Sequence, residues 1–361
     1  MEPELNKTIE KIGIPSGEGI KVKDGYEPYL FTFIDFLGFK NNVSASVSSD
    51  ELFSKLKGLL FLFQTYFDQF IDKLSQKQDI FLPSKIKPAM FSDTITFATQ
   101  GLDDNSIITT LTQLNFFYAL FIGDGFFGRG AIASGLHYQK NKIMFGPAVI
   151  EATQLEKLAN WPRIVLHPNI MKHFLESSPE LTGRIQEYEI MRDEDGLQYV
   201  NYLQSMFVFF KDIHWFIEIA KIETSFYGDK QSKIYEYFNS DYISKHRQAI
   251  INGIDSNKSQ GIEGIKIETK YHALAIYHNG VIDNLCHTIK ETSKLLDANN
   301  VTDLAKLHAF HLPFLGKLMG AGHDDKILEF LRKKLKELNE KLPALVENKI
   351  DLENSFPLLY K

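Results

Sequence analysis

The stretch YLFTFIDFLGF, from Tyr29 to Phe39, decides the fold of this chain. Nearly all of its residues are aromatic or aliphatic, as expected of a strand that is buried within a sheet. It contains the Asp-x-x-Gly sequence of Asp35 to Gly38, which is typical of a tight turn. We place the first central strand of a sheet here, preceded by a polar N-terminal segment, residues 1–26.

The sequence after this strand alternates between helical and strand patterns. Large apolar residues recur at helical spacing from Ser48 to about Ser75, and Ser48 with Glu51 has the form of a capping box. Two strands that meet at a Ser92-Asp93 turn are predicted over Ile86 to Thr99, followed by a helix from about Asn105 to Ile122.

A second half follows the same alternation. It comprises a strand and basic hairpin over Gly128 to Gly146, a helix from Pro147 to about Ala159, and the strand Arg163 to His167. The order β-α-β-β-α-β predicts an α+β fold with a ferredoxin-like split core, with the last helix and strand as additions behind it.

Extra elements follow this core. A further turn and strand are predicted over Asp193 to Leu203, and the chain becomes mainly helical beyond about Lys230. An amphipathic helix is predicted from Lys326 to Leu342. We therefore divide the chain into the N-terminal segment, an α+β domain over residues 27–230, and a helical C-terminal region over residues 231–361.

Composition narrows the classes of function. The chain has 361 residues, with 40 basic and 46 acidic side chains and a formal charge of -6, so nucleic acid is a poor candidate partner. The single cysteine fits a reducing compartment. The charged N-terminus lacks the apolar core of a signal peptide, and the apolar runs are too short to span a membrane. We predict a cytoplasmic protein without a membrane partner.

Two aspartates are the strongest candidates for chemistry. Asp35 ends an apolar strand and Asp93 lies at the tip of the next hairpin, and a split β-α-β-β core brings these positions side by side. Neither strand has an obvious Lys or Arg nearby. Two such carboxylates repel each other unless a divalent cation lies between them, and oxygen ligands favour Mg²⁺ or Mn²⁺. The alternative is that each aspartate only caps a turn.

The turn after Asp35 adds a second possible ligand set. Gly38 allows backbone N–H groups to approach a bound anion closely, as a triphosphate would require. An Asp-x-x-Gly turn is common, so its value depends on the other motifs.

Four segments together resemble class III nucleotidyl cyclase domains in the same order. They are FIDFLGF, the FSDTITF hairpin, RGAIASG and FGPAVIEATQLEKLANWPRIVL. The later segments DEDGLQYVNYL and KYHALAIYHN (Lys270 to Asn279) resemble the pyrimidine cyclases of the Pycsar anti-phage system. The resemblance covers roughly residues 28–285 and would make residues 27–230 the cyclase catalytic domain.

The resemblance implies a two-metal mechanism in a homodimer. Asp35 and Asp93 would bridge two Mn²⁺ or Mg²⁺ ions, with the Phe36 carbonyl as a further ligand. The amides of Leu37, Gly38 and Phe39 would hold the β and γ phosphates of a nucleoside triphosphate. Each active site would form between two head-to-tail subunits, and a separate effector protein would sense the cyclic product.

Departures from the family pattern bear on the substrate. The two base-reading positions of purine cyclases correspond to Ala89 and Ile143, whose side chains cannot pair with a purine edge. The Asn and Arg that stabilise the transition state correspond to Ile150 and Gln154. Either another cation replaces them, for which the candidates are Arg129, Lys140, Lys142 and Arg163, or the domain is catalytically inactive. Arg129 is preferred because it begins a core strand, and we assign Ala89, Arg129 and Lys142 to substrate binding.

The resemblance thus implies a pyrimidine nucleotide cyclase that converts UTP, favoured over CTP, to a 3′,5′-cyclic nucleotide for defence against phage. The alternatives are a purine cyclase, a catalytically inactive nucleotide-binding regulatory module, and a structural dimerisation domain.

Overall fold

The computed structural model describes most of the first two hundred residues and two blocks of the C-terminal region. The described residues are 25–65, 86–103, 106–107, 109–111, 114, 118, 121–122, 125–140, 143–176, 190–203, 242–256, 261–297, 336 and 339–360. The chain forms two compact units, Met1–Tyr202 and Leu203–Lys361. The predicted boundary near residue 230 and most of the N-terminal segment lie outside the described residues.

The first unit is a mixed α+β structure built on an eight-stranded, mostly antiparallel sheet. The strands run in the order β2-β3-β1-β4-β6-β8-β7, and β5 pairs with β4 beside this path. Only the pairing of β4 with β6 is parallel among the described strands. The strands are β1 (Glu27–Phe36), β2 (Ile86–Phe91), β3 (Thr94–Gln100), β4 (Gly128–Lys140), β5 (Ile143–Phe145), β6 (Ile164–Leu166), β7 (Ile190–Arg192) and β8 (Gln198–Val200).

Helices connect these strands and cover the sheet. They are α1 (Phe39–Ser46), α2 (Asp50–Thr65), α3 (described between 106 and 122), α4 (Pro147–Glu156) and α5 (Pro168–Glu176). The predicted elements of this region are therefore present, but their bounds differ in places.

The start of α2 is one such difference. The predicted capping box at Ser48 is wrong, because the hydroxyl of Ser49 accepts the Leu52 N–H at 3.3 Å, whereas the Ser48 hydroxyl donates to the Ala45 carbonyl. The short helix α1 precedes this cap, so the chain after β1 forms two helices rather than one. The predicted end of the helix near Ser75 lies outside the described residues.

The two faces of β1 pack against different helices, as the alternation of a strand requires. Tyr29 and Phe31 form a buried cluster with Ala148 and Ala152 of α4. On the opposite face, Phe36 stacks on Phe121 of α3 with ring centroids 4.6 Å apart. The central strand is mostly apolar and buried from Tyr29 to Ile34, with Thr32 as the buried polar exception, which confirms the predicted burial.

A buried arginine joins β6 to the turn between β7 and β8. Arg163 is fully buried, and its guanidinium forms ion pairs with Asp193 and Asp195. Trp161 donates its indole N–H to Asp193 at 2.9 Å, and Tyr199 packs against the guanidinium. These contacts hold the turn against the sheet.

The second unit is helical where it is described. Its helices are α6 (Tyr242–Ser256), α7 (Gly261–Asp297), α8 (339–347), α9 (Leu352–Ser355) and α10 (Pro357–Tyr360). The imidazoles of His246 and His278 are buried, stacked and joined by an Nδ1 to Nδ1 contact of 3.0 Å between α6 and α7. Helix α8 continues past the predicted end at Leu342. Across the described parts of the chain, the helices all lack the length and apolarity that a membrane crossing requires.

We predict that the Arg163 contacts make the stability of the first unit dependent on pH. Burial opposes ionisation of Asp195, but hydrogen bonds from Arg163 and from the Leu197 N–H hold its pKa below the ordinary value. A carboxyl with a lowered folded pKa stabilises the fold above its unfolded pKa, and loses this contribution as the pH falls through the folded pKa.

Asp195→Asn is therefore expected to lower the free energy of unfolding at pH 7 by roughly 1–3 kcal/mol. The difference from the wild type should shrink below about pH 4, the ordinary range of an aspartate. Urea unfolding followed by circular dichroism measures the free energy of unfolding of both proteins at pH 7 and at pH 3. The exposed Glu194→Gln is the control. An equal loss of stability at both pH values would contradict the assignment of this stability to the ionised Asp195 carboxylate.

Candidate functional site

The end of β1 and the turn between β2 and β3 meet at one edge of the sheet. The Phe36 N–H donates to the Asp93 carbonyl at 3.1 Å, so the hairpin turn lies directly beside the last residue of the strand. Ser92 adopts a φ of 56°, a left-handed conformation that tightens the turn before Asp93. The predicted convergence of the Asp35 and Asp93 segments is thus present in the backbone.

The Phe36 carbonyl is the third predicted metal ligand. The N–H and C=O of a strand residue point towards the same neighbouring strand. The reciprocal bond, from the Asp93 N–H to the Phe36 carbonyl, is not formed between these two residues. Among the backbone hydrogen bonds of the described residues, this contact is thus one-sided, from the Phe36 N–H to Asp93.

Asp35 stands in a row of four side chains across the sheet. It pairs in register with Thr94 of β3 and Arg129 of β4, and Thr94 pairs with Phe91 of β2. Directly paired residues of antiparallel strands project from the same face. Because Phe31 of the same strand packs on α4, this row also lies on the α4 face.

Arg129 corrects the expectation that Asp35 lacks a nearby cation. Its Nε lies 3.7 Å from the Asp35 carboxylate, and both side chains are about one-third exposed, at 35% and 30%. The register of β1 with β4, which the sequence alone did not supply, brings these two residues opposite each other. Arg129 was predicted as a functional cation, and it lies beside the first of the two predicted metal ligands.

Glu156, at the C-terminal end of α4, completes the charged group. Its Oε1 lies 2.5 Å from the Nε of Arg129, and its side chain is only 7% exposed. Glu156 was absent from the predicted site. The signal that could have found it is the spacing of Ala148, Ala152 and Glu156 on the buried face of the helix. A glutamate on such a face needs a partner.

The turn after Asp35 differs from the prediction at one residue. The Leu37 N–H donates to the Phe127 carbonyl at 2.7 Å, because the contact between β1 and the start of β4 continues past Phe36. This amide is therefore not available to a phosphate. Within the described residues, the amides of Gly38 and Phe39 donate to no backbone carbonyl, and Gly38 has a φ of 71° as the N-cap of α1.

The remaining predicted residues have varied positions. Ala89 pairs with Thr96, whose hydroxyl donates to the Ala89 carbonyl at 3.4 Å. Ile143 of β5 and Ile150 of α4 are exposed, as is Gln154. Lys142 lies outside the described residues.

The positions of Arg163 and Lys140 argue against both as the cation that neutralises a bound phosphate. Arg163 is fully buried between Asp193 and Asp195, so it cannot also neutralise a bound phosphate. Lys140 is exposed at the end of β4, opposite Ile143 and away from the row that contains Asp35. Arg129 is the predicted cation that lies beside Asp35.

The donor atoms at this edge suit a hard divalent cation. Asp35 and Asp93 supply carboxylate oxygens and Phe36 supplies a carbonyl, which are ligands that Mg²⁺ and Mn²⁺ prefer. An ion pair as exposed as that between Asp35 and Arg129 is worth only about 0–1 kcal/mol, so it does not prevent Asp35 from binding a cation. In the part of the chain that is described, three His, Cys, Asp or Glu side chains do not converge on one point.

This edge of the sheet therefore combines three kinds of group. Asp35 and Asp93 can attract cations, the amides of Gly38 and Phe39 can donate to an anion, and Arg129 adds a fixed positive charge. Groups of these kinds suit a polyphosphate with its bound metal ions.

Two comparisons with known proteins bring no match. No protein-family profile fits the chain, and no curated protein is recognisably similar to it. The resemblance to class III cyclases therefore rests on the four motifs and their order.

The two partners of the Arg129–Glu156 pair are expected to differ in their effect on stability. Arg129→Ala leaves the buried Glu156 carboxylate without its closest cation, and should destabilise the first unit by roughly 2–4 kcal/mol. Glu156→Gln removes the buried charge and leaves the cation partly in water, so it should cost about 1 kcal/mol or less.

Chemical denaturation of both variants and of the double variant measures this asymmetry. The double variant should be more stable than Arg129→Ala alone, since it no longer buries an unpaired charge. Equal losses in the two single variants would contradict the assignment of Glu156 as the buried partner.

Proposed function

We propose that this chain is a pyrimidine nucleotide cyclase, which converts UTP or CTP to the 3′,5′-cyclic nucleotide and pyrophosphate. The observation that carries the proposal is the junction of β1 with the β2–β3 turn. There the Phe36 N–H bonds the Asp93 carbonyl, with Asp35 one residue earlier in the central strand. Two aspartates at such a junction are what a two-metal site in this family would use.

The strand order supports a class III cyclase core. The strands β2-β3-β1-β4 are all antiparallel to their neighbours, and helices lie between β1 and β2 and between β3 and β4. This is the arrangement expected of a split, ferredoxin-like β-α-β-β-α-β fold when β4 is taken as its last strand. The hairpin β4–β5 and the strands β6 to β8 are then additions to that core.

In the proposed mechanism, Asp35, Asp93 and the Phe36 carbonyl hold two Mg²⁺ or Mn²⁺ ions. Bound there, the ions would make the ribose 3′-hydroxyl more acidic and neutralise charge on the phosphates. The amides of Gly38 and Phe39 donate to terminal phosphate oxygens, and Arg129 balances charge that builds up during transfer. The 3′-oxygen attacks the α-phosphorus in line, its proton leaves to solvent, and the bond to pyrophosphate breaks.

The preference for a pyrimidine rests on small and apolar groups at the expected base positions. Ala89 replaces a polar base reader on β2, and Ile143 replaces the other on β5. A purine would leave its edge unpaired against these side chains, which disfavours it by roughly 10-fold or more. These residues leave both UTP and CTP as candidates.

A homodimer would cover apolar side chains beside the site. Phe91 is 81% exposed in the same row as Asp35, and Ile150 of α4 is exposed on the helix that borders that row. Burying one phenylalanine contributes about 1.5–3 kcal/mol to an interface. A second copy placed head to tail would supply the rest of the nucleotide pocket. We further propose that the product is a cytoplasmic second messenger in anti-phage defence, sensed by a separate effector protein.

One observation favours a second candidate function. Ile150 and Gln154 occupy the positions of the transition-state Asn and Arg, and both are exposed on α4. If Arg129 does not replace them, the chain is a regulatory module that binds a metal-nucleotide complex without turnover. This candidate predicts binding without a cyclic product.

The decisive experiment is turnover with each of UTP, CTP, ATP and GTP in the presence of Mn²⁺, with products identified by mass spectrometry. We expect a cyclic pyrimidine nucleotide, and a loss of at least about 100-fold in Asp35→Asn and in Asp93→Asn. The exposed Glu194→Gln is the matched control and should retain wild-type turnover.

The other outcomes discriminate between the candidates. A cyclic purine nucleotide as the main product would replace the pyrimidine assignment with a purine cyclase. Metal-dependent nucleotide binding with no product from any triphosphate would favour the regulatory module. If the chain neither binds a nucleotide nor turns one over, the nucleotide site is excluded. The structural dimerisation domain then remains as the candidate.

The proposed dimer is tested at Phe91. Phe91→Glu places a charge in the apolar row beside Asp35, so we expect a monomer by analytical ultracentrifugation and loss of turnover. Val47→Glu is the control, since Val47 is also highly exposed but lies between α1 and α2, off the sheet. A wild-type protein that is monomeric while active would contradict the composite site.

A further inference from the structure

The charged group beside Asp35 contains one residue that the mechanism above leaves without a role. Taken with its backbone, Glu156 is 5% exposed, a low value for a glutamate, and it comes from α4 rather than from the strands that carry Asp35 and Arg129. Its Oε1 lies 2.5 Å from the Arg129 Nε. Within the described residues the buried Oε1 accepts no hydrogen bond, so the charge of the Arg129 guanidinium is what compensates the carboxylate.

The nitrogen that Glu156 contacts matters for what Arg129 can do. In both ion pairs of Arg129, it is Nε that approaches the carboxylate. Within the described residues the two terminal Nη nitrogens make no hydrogen bond, and the side chain is 35% exposed. The planar end of the guanidinium is thus available for bidentate contact with phosphate oxygens.

Glu156 also competes with Asp35 for the same cation. The Arg129 Nε lies 3.7 Å from the Asp35 carboxylate and 2.5 Å from the Glu156 carboxylate. Arg129 is therefore closer to Glu156, which is not a predicted metal ligand, than to Asp35, which is. Without Glu156, the guanidinium would be drawn towards Asp35, the next carboxylate.

We propose that Glu156 is a positioning residue that anchors Arg129 by ion pairing at Nε, which aims the Nη nitrogens at a polyphosphate. The inference rests on the proposed function in taking the ligand to be a nucleoside triphosphate. The physical claim is narrower, since it concerns only the polyphosphate and its metal ions.

The test measures binding of inorganic tripolyphosphate, with Mg²⁺ present, to the full chain by isothermal titration calorimetry. This probe lacks a base and a ribose, so its binding does not depend on turnover. We expect Glu156→Gln and Arg129→Ala each to weaken binding by about tenfold, the effect of losing one well-placed charge-assisted contact. In the double variant the loss should equal that of Arg129→Ala alone, because Glu156 acts only through Arg129.

Arg129→Lys separates positioning from charge. A lysine keeps the positive charge but has no Nε with a planar fork beyond it, so its single ammonium group can pair with Glu156 and leave nothing for the phosphate. We expect this variant to bind tripolyphosphate nearly as weakly as Arg129→Ala. Binding at the wild-type level would overturn the anchoring role, and so would additive losses in the double variant.

Asp195→Asn is the matched structural control. It removes one carboxylate partner from an arginine elsewhere in the same unit, at the turn between β7 and β8. We expect it to lower stability while leaving the affinity for tripolyphosphate unchanged. If Glu156→Gln weakens binding only to the extent that Asp195→Asn does, its role is structural and the proposal fails.

The binding and turnover experiments can contradict the two proposals independently. If no triphosphate is cyclised but tripolyphosphate binding depends on Arg129 and Glu156 as a unit, the cyclase proposal falls and the positioning role stands. If a cyclic nucleotide forms and Glu156→Gln has wild-type affinity and turnover, the cyclase stands and the positioning role falls. Should Glu156→Gln fail to fold, Arg129→Lys alone decides by the same binding measurement.

Discussion

The antiparallel pairing of β1 with both β3 and β4 is the constraint on which the rest of the site depends. It sets Asp35 opposite Thr94 on one side and Arg129 on the other. The register with β4 is enforced by close approach, because a Cβ at Gly130 would overlap the Phe33 carbonyl oxygen. A slip of one residue would turn Asp35 to the opposite face, where Phe36 packs on Phe121.

Much of the fold could be predicted from sequence because its signals are local. The apolar run that ends at Asp35 and the turn at Ser92-Asp93 specify a buried strand and a hairpin without any knowledge of distant residues. The cap of α2 was misplaced by one residue, because Ser48 and Ser49 both have the chemistry of an N-cap and only the backbone chooses between them.

The charges of the site were less predictable because they depend on non-local register. Arg129 lies 94 positions after Asp35 in the sequence. Glu156 comes from α4, which lies between β5 and β6 and therefore connects none of the first three strands. No local pattern reports that these side chains meet. The same holds for Leu37, whose amide is taken by Phe127 rather than left for a ligand. Arg163 was misjudged for a related reason, since its partners Asp193 and Asp195 are 30 residues away or more.

The arrangement changes which part of the fold would stabilise charge on a transferring phosphate. In the family that the motifs resemble, this charge is met by an Asn and an Arg on the helix, whereas here those positions are Ile150 and Gln154, both exposed. The helix α4 contributes a carboxylate instead, through Glu156 at its buried end. A cation that is held on a central strand by a buried carboxylate has less freedom than one on an exposed helix face. Electrostatic stabilisation depends on such preorganised groups, so in the proposed cyclase a strand arginine anchored in this way would take the role of the missing helix pair.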